Sequence, residues 1–137
     1  MSAPNEQPHD AVDVLLIEDE AVQSPLRRLL QQGGYRVRAA TDGIKGLLQT
    51  RSVLPRLMIV DVNLPGLSGF QVLSMIRQTP VLRQVPVVML TRPNHDGDQQ
   101  RALELGANAS IPRGDAEGQL FPTIQGLFER QPAPQLA

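Results

Sequence analysis

Five side chains of this chain of 137 residues share one place in the local pattern, the end of a short apolar run. Glu18 and Asp19 follow the run Val12 to Ile17, Asp61 follows Leu57 to Val60, Thr91 follows Val85 to Leu90, and Arg113 stands shortly after Ala109 to Ile111. Brought together they would make three carboxylates, a hydroxyl and a guanidinium. Two carboxylates in contact repel by about 4 kcal/mol in the effective dielectric of a protein surface. Such a cluster therefore calls for a metal ion or for Arg113. Each residue alone has an ordinary explanation, since Asp or Thr after a strand often caps a helix or opens a turn. An isolated Arg113 would be a solvated surface charge. It is the joint placement at four run ends that argues for a site.

The elements that must position these residues follow from the same pattern. The four runs are short and nearly continuous, as expected of strands covered on both faces, with only Asp13 breaking the first. Tyr35 to Ala39 alternates apolar and basic residues, which predicts a strand near an edge with one wetter face. Between the strands lie helical patterns. Ala21 to Gln32 carries Val22, Leu26, Leu29 and Leu30 and closes at Gly33-Gly34, with Pro25 tolerable if the helix starts nearby. Asp42 is expected to cap a second helix to about Arg51. A loop marked by Pro65, Gly66 and Gly69 precedes a third over Phe70 to Gln78. The fourth is predicted over Asp98 to Leu105, ended by Gly106. The last carries Leu120, Phe121, Ile124, Leu127 and Phe128 on one face, and Pro122 suggests that its regular part starts late. Five strands alternating with five helices predict an α/β fold, a doubly wound five-stranded parallel sheet with helices on both faces, because each parallel connection needs a crossover. In such a sheet ligands sit beyond the carboxyl ends of the strands, where all five singled-out residues fall.

Composition narrows the function classes. The length suits one domain, expected over 12–130, with a polar tail over 1–11 and a Pro-containing tail over 131–137. With 41% hydrophobic and 20% charged residues the body should fold. Thirteen basic against fourteen acidic residues, without a basic block, argue against direct nucleic-acid binding. The absence of cysteine excludes disulfides and thiolate metal sites and is compatible with a cytoplasmic location. Neither a signal peptide nor a membrane span fits the first residues, where a polar stretch with Pro4 and Pro8 precedes a brief apolar run. His9 and His95 lie in polar surroundings and receive no role.

An all-oxygen site suits a hard cation. Magnesium typically uses one or two carboxylates, keeps several waters and shares its shell with a phosphate oxygen. Asp19 and Asp61 are the expected direct ligands, Glu18 acts through water, and the backbone carbonyl of Asn63 is close enough in sequence to complete the shell.

The order and spacing resemble the response-regulator receiver domain over nearly the whole chain, roughly Val12 to Arg130. Leu15-Leu16-Ile17-Glu18-Asp19-Glu20 is similar to the family's acidic-pair motif. Asp61-Val62-Asn63-Leu64-Pro65-Gly66-Leu67-Ser68-Gly69 is similar to its phosphoacceptor strand end and loop, and Gly106-Ala107-Asn108-Ala109 continues the match. The resemblance implies a flavodoxin-like sheet of strand order 2-1-3-4-5 and a signalling switch of a two-component phosphorelay rather than an enzyme. It also implies that Asp61 is the nucleophile toward a phosphohistidine or small phosphodonor, with Mg2+ as cofactor. Thr91 would hydrogen-bond the bound phosphoryl group and, with the loop after it, move inward on phosphorylation. The implied partners are a sensor histidine kinase or phosphotransfer protein and a downstream target protein, the chain itself being a monomer or weak dimer.

Three positions depart from the family pattern. Arg113 stands where a lysine is usual, and its planar fork can grip a phosphate or lock onto Asp61. Arg92, followed by Pro93, comes directly after Thr91 where a small residue is usual, which would narrow access to Asp61. Ser110 replaces an aromatic that swings inward, so any output would use other surfaces. These departures keep one alternative, a pseudo-receiver that binds a partner without phosphorylation. An aspartate-based phosphatase of the haloacid dehalogenase type would want a second acid where Asn63 stands. A flavodoxin-like electron carrier would want a hydroxyl- and glycine-rich loop in place of Glu18-Asp19-Glu20.

Overall fold

The computed structural model describes residues 11–130, so the tails expected over 1–11 and 131–137, with His9, lie outside the described residues but for Ala11. Five parallel strands form one sheet: β1 (Val14–Ile17), β2 (Val37–Ala40), β3 (Leu57–Asp61), β4 (Val87–Thr91) and β5 (Ala109–Pro112), in the order β2-β1-β3-β4-β5. The expected doubly wound arrangement is present. β1, β3 and β4 are buried throughout, as their unbroken apolar runs require, whereas the edge strand β2 exposes Arg38.

Five helices cover the two faces: α1 (Pro25–Gln32), α2 (Gly43–Gln49), α3 (Gly69–Gln78), α4 (Asp96–Glu104) and α5 (Ala116–Arg130). Leu26 and Leu30 of α1 pack with Leu120, Ile124 and Leu127 of α5 under one face, against Val14, Leu16 and Ile59. Phe70, Val72, Leu73 and Ile76 of α3, with Ala102 of α4 and Leu47 of α2, pack on the other against Leu15, Met58 and Met89. The alternation of β1 residues between these two clusters is the period-two geometry of a strand.

Several boundaries differ from the sequence pattern. The stretch Ala21 to Gln32 is not one helix: a 3-10 turn over Ala21–Gln23 stops at Ser24, whose side chain accepts the Leu26 N–H at 3.1 Å and caps α1, with Pro25 at the first helical position. Val22 is consequently 58% exposed rather than on the core face. Asp42 caps α2 as expected, accepting the Lys45 N–H at 2.8 Å. Val85 lies before β4, and α4 begins at Asp96 rather than at Asp98. The largest difference is α5, which starts at Ala116 and carries Pro122 within it. An interior proline typically costs about 3 kcal/mol. Burial of Ala116 and Leu120 before it and of Ile124 and Leu127 after it offsets that cost and carries the helix through.

Candidate functional site

Sheet register builds the site. Ile17 pairs with Val60, so the residues that follow, Glu18 and Asp61, leave neighbouring strands side by side. Asp61 in turn pairs with Leu90, and Thr91 with Pro112, which places Thr91 next to Asp61 and Arg113 just beyond. Asp19, Glu20, Asp61, Asn63, Thr91, Arg92, Pro93 and Arg113 line a single open cleft of about 220 Å3 at the carboxyl end of the sheet.

Within it the Arg113 guanidinium bridges two buried acids, pairing through Nη1 with Asp61 Oδ2 and donating through Nη2 to Glu18 Oε2. Glu18 and Asp61 are only 1% and 3% exposed, whereas 44% of the Arg113 side chain reaches solvent. The other Asp61 oxygen, Oδ1, accepts the Asn63 backbone N–H at 2.8 Å. Thr91 is buried beside these groups, and Asn63 is exposed at the rim.

The three carboxylates lie at one end of the sheet with different exposures. Glu18 and Asp61 meet on Arg113, but Asp19, one residue past the buried end of β1, is exposed on the cleft wall. Among the described residues no group of three or more His, Cys, Asp or Glu side chains is gathered closely enough to hold a metal ion unaided. The donor set nevertheless fits magnesium. It is all oxygen, Asp19, Asp61 and Asn63 line one cleft, and among the described residues Glu18 Oε1 is a buried carboxylate oxygen without any hydrogen-bond donor. A cation that uses one or two carboxylates and fills its shell with other oxygens matches those groups.

The departures from the family pattern take definite positions. Arg92 and Pro93 both line the cleft, but the Arg92 guanidinium is drawn to Asp98 on α4, with Nε at 2.9 Å and Nη2 at 2.8 Å from its oxygens. That pairing, with burial opposing it, holds the Asp98 carboxyl below the usual range and raises Arg92. Arg92 thus lines the cleft with its charged head paired to Asp98, and Pro93 lines it alongside. Ser110 is half-buried on β5 opposite Met89, and His95 is exposed, its ring Nδ1 2.9 Å from the Pro93 carbonyl.

Two residues at the site escaped the sequence reading. Gly69 approaches so closely that a Cβ there would lie 2.2 Å from the Asp61 carbonyl oxygen, and its N–H donates to Val62 O at 2.9 Å. The glycine was visible as a loop marker, but not the contact. Behind it Ser68 and Gln71 form a reciprocal capping box that fixes the start of α3, a Ser-x-x-Gln spacing readable in the sequence. Asp98 is the second, legible as a helix-start acid but not as the partner of Arg92.

Comparison with known proteins agrees with this geometry. Residues 14–125 match the family model described as the response regulator receiver domain. The chain is similar to the transcriptional regulatory protein AfsQ1 of Streptomyces coelicolor, 42% identical over 96 residues that make up 69% of this chain and 41% of that protein. It is also similar to the phosphate regulon transcriptional regulatory protein PhoB of Klebsiella pneumoniae, 32% identical over 121 residues, 85% of this chain and 52% of that one. The chain thus spans about half or less of the length of these relatives. Among solved structures, a putative response regulator from Chloroflexus aurantiacus superposes with a TM-score of 0.81 at 29% identity, covering 88% of this chain and 99% of the other. No helix among the described residues is long and apolar enough to cross a membrane. With sheet order, family match and relatives in agreement, the chain belongs to the response regulator receiver domain family.

Proposed function

We propose that this chain is a phosphoacceptor switch of a two-component relay, modified on Asp61 in a magnesium-dependent reaction. The observation that carries the reading is Asp61 itself. It is a buried carboxylate with Oδ1 fixed by the Asn63 N–H and Oδ2 turned to Arg113, opening on a cleft walled by Thr91. A nucleophile held in one orientation has already lost the entropy that an attack requires.

In the transfer, an Asp61 carboxylate oxygen forms a bond to phosphorus as the bond to the donor nitrogen breaks. The bonding pair leaves with the donor imidazole of a histidine kinase or phosphotransfer protein, which takes up a proton. Asp19, Asp61 and the Asn63 carbonyl would hold Mg2+, with Glu18 behind them. When bound, the ion supplies positive charge near the transferring oxygens. Arg113 then releases Glu18 or Asp61 and turns to the phosphoryl oxygens, to which its fork is suited. The Thr91 hydroxyl donates a hydrogen bond to the same group, and the accompanying shift of the loop after β4 is what a downstream target protein reads. The chain acts in the cytoplasm, as a monomer or weak dimer, with the receiver body over 12–130 and no nucleic acid bound directly.

The test is the intact mass of wild type and Asp61→Asn over a time course with magnesium and acetyl phosphate. A gain of one phosphoryl group in wild type, absent from Asp61→Asn, is expected. No gain in folded wild-type protein, together with no binding of beryllofluoride, would overturn the reading in favour of a phosphorylation-independent interaction module.

A further inference from the structure

Arg92 poses a problem that the acceptor site alone does not solve. It directly follows Thr91 at the end of β4, and it lines the same cleft as Asp19, Glu20 and Asp61. A long guanidinium at the wall of a cleft rich in carboxylates has every electrostatic reason to fold onto them. It does not, because Asp98 in the first turn of α4 takes it instead. The Asp98 carboxylate accepts the Arg92 backbone N–H at 3.2 Å as well as Nε at 2.9 Å and Nη2 at 2.8 Å. The acid is the fixed partner. Asp98 is 5% exposed and its own N–H is tied to the His95 carbonyl at 2.9 Å, whereas 43% of the Arg92 side chain lies in solvent. The loop between them passes through Asn94 at a φ of 61°, a left-handed conformation.

We infer that Asp98 is a positioning residue of the Asp61 site, holding the Arg92 guanidinium off the phosphoacceptor and so keeping the cleft open and negative for a divalent cation and a phosphodonor. The inference rests on Asp61 as the acceptor. The cleft already contains one arginine, Arg113, shared between Glu18 and Asp61. A second guanidinium there would cancel much of the negative charge that attracts a cation and would occupy the approach to Asp61. Removing Asp98 is thus harmful because of where Arg92 then goes, not because of what α4 loses.

A purely structural role for the pair predicts the opposite logic. If the bond merely braced the loop, losing either partner would do similar harm, and losing both would help nothing. The experiment compares phosphoryl uptake from acetyl phosphate, by intact mass, in wild type, Asp98→Ala, Arg92→Ala and the double variant, alongside a crystal structure of Asp98→Ala. Initial uptake is expected to fall about tenfold in Asp98→Ala and to return to within about twofold of wild type in the double variant. The crystal structure is expected to place Arg92 against Asp61 or Asp19. A double variant as slow as Asp98→Ala, or an Arg92 side chain in bulk solvent in that structure, overturns the inference. If wild type itself takes up no phosphoryl group, the acceptor reading fails on its own, and the position of Arg92 in Asp98→Ala still decides this one. Should Asp98→Ala not fold, the isosteric Asp98→Asn removes the charge alone and is held to the same pattern of rescue and the same crystallographic criterion.

Discussion

Strand β1 is bracketed by two buried acids, Asp13 just before it and Glu18 just after it, and each faces arginine. At the amino end Asp13 Oδ2 accepts the Arg36 N–H at 2.7 Å and Nε at 3.1 Å, while Oδ1 takes Arg36 Nη2 at 3.1 Å and lies 3.7 Å from Arg56 Nη1. The Arg56 guanidinium also sits 3.9 Å over the Phe128 ring, itself edge-on to Tyr35. At the carboxyl end two buried acids share one half-exposed guanidinium, and Glu18 Oε1 has no donor among the described residues. The residue types are the same, but the supply of donors is opposite. Where every acid oxygen is answered, the cluster braces the fold. Where acids outnumber donors, it is left able to take on a cation or a phosphoryl group.

The strongest way to break this contrast is at Gly69, on which the carboxyl end rests. Gly69→Ala drives a Cβ into the Asp61 carbonyl and the Val62 backbone, neither of which can give way as a flexible side chain would. A loss of about 3 kcal/mol in urea unfolding is expected, at the upper end of overpacking costs, together with loss of phosphoryl uptake. Wild-type stability and uptake would show that the close approach is not needed.

Arg113→Ala sharpens the contrast more directly by removing the guanidinium that bridges Glu18 and Asp61. Breaking a buried pair can cost several kcal/mol, but the guanidinium is 44% exposed, so about 2 kcal/mol is expected after screening. Because nothing then competes for the two acids, millimolar magnesium should raise the Tm of this variant more than that of wild type. Equal magnesium shifts in the two proteins would mean that Arg113 and the cation do not share the site.

Much of this was legible in the sequence, and the limits have physical causes. Runs such as Leu57 to Val60 announced buried parallel strands because both faces are covered, and the acids and Thr91 at their ends followed from the architecture. The exposure of Asp19 was not legible, because a strand that ends at Ile17 buries the next residue but lets the one after it turn outward, which one-dimensional spacing does not report. Pro122 was overweighted because a local cost was visible and the packing of Ala116 and Leu120 that offsets it was not. The Arg92–Asp98 and Asp13–Arg36 pairs join residues across a loop or across two elements, so no period in the sequence encodes them.

The amino-end cluster offers the smallest and cleanest test. Burial alone would raise the Asp13 carboxyl, but the bonds from Arg36 and the charges of Arg36 and Arg56 outweigh it and hold the group below its ordinary value of 3.8. A carboxyl depressed in the folded state contributes stability that is fully present above its unfolded value and is lost as pH falls through the folded one. Asp13→Asn should therefore cost about 1 kcal/mol at neutral pH, the modest size set by the half-exposed Arg36 side chain, with phosphoryl uptake unchanged. The difference from wild type should shrink as the pH is taken below about 4, because wild type then loses the charge that the variant never had. Urea midpoints of the two proteins across that range measure it. A gap that stays constant would mean that Asp13 acts through shape rather than charge, and a magnesium-induced Tm shift that differs from that of wild type would erase the distinction between the two ends of β1.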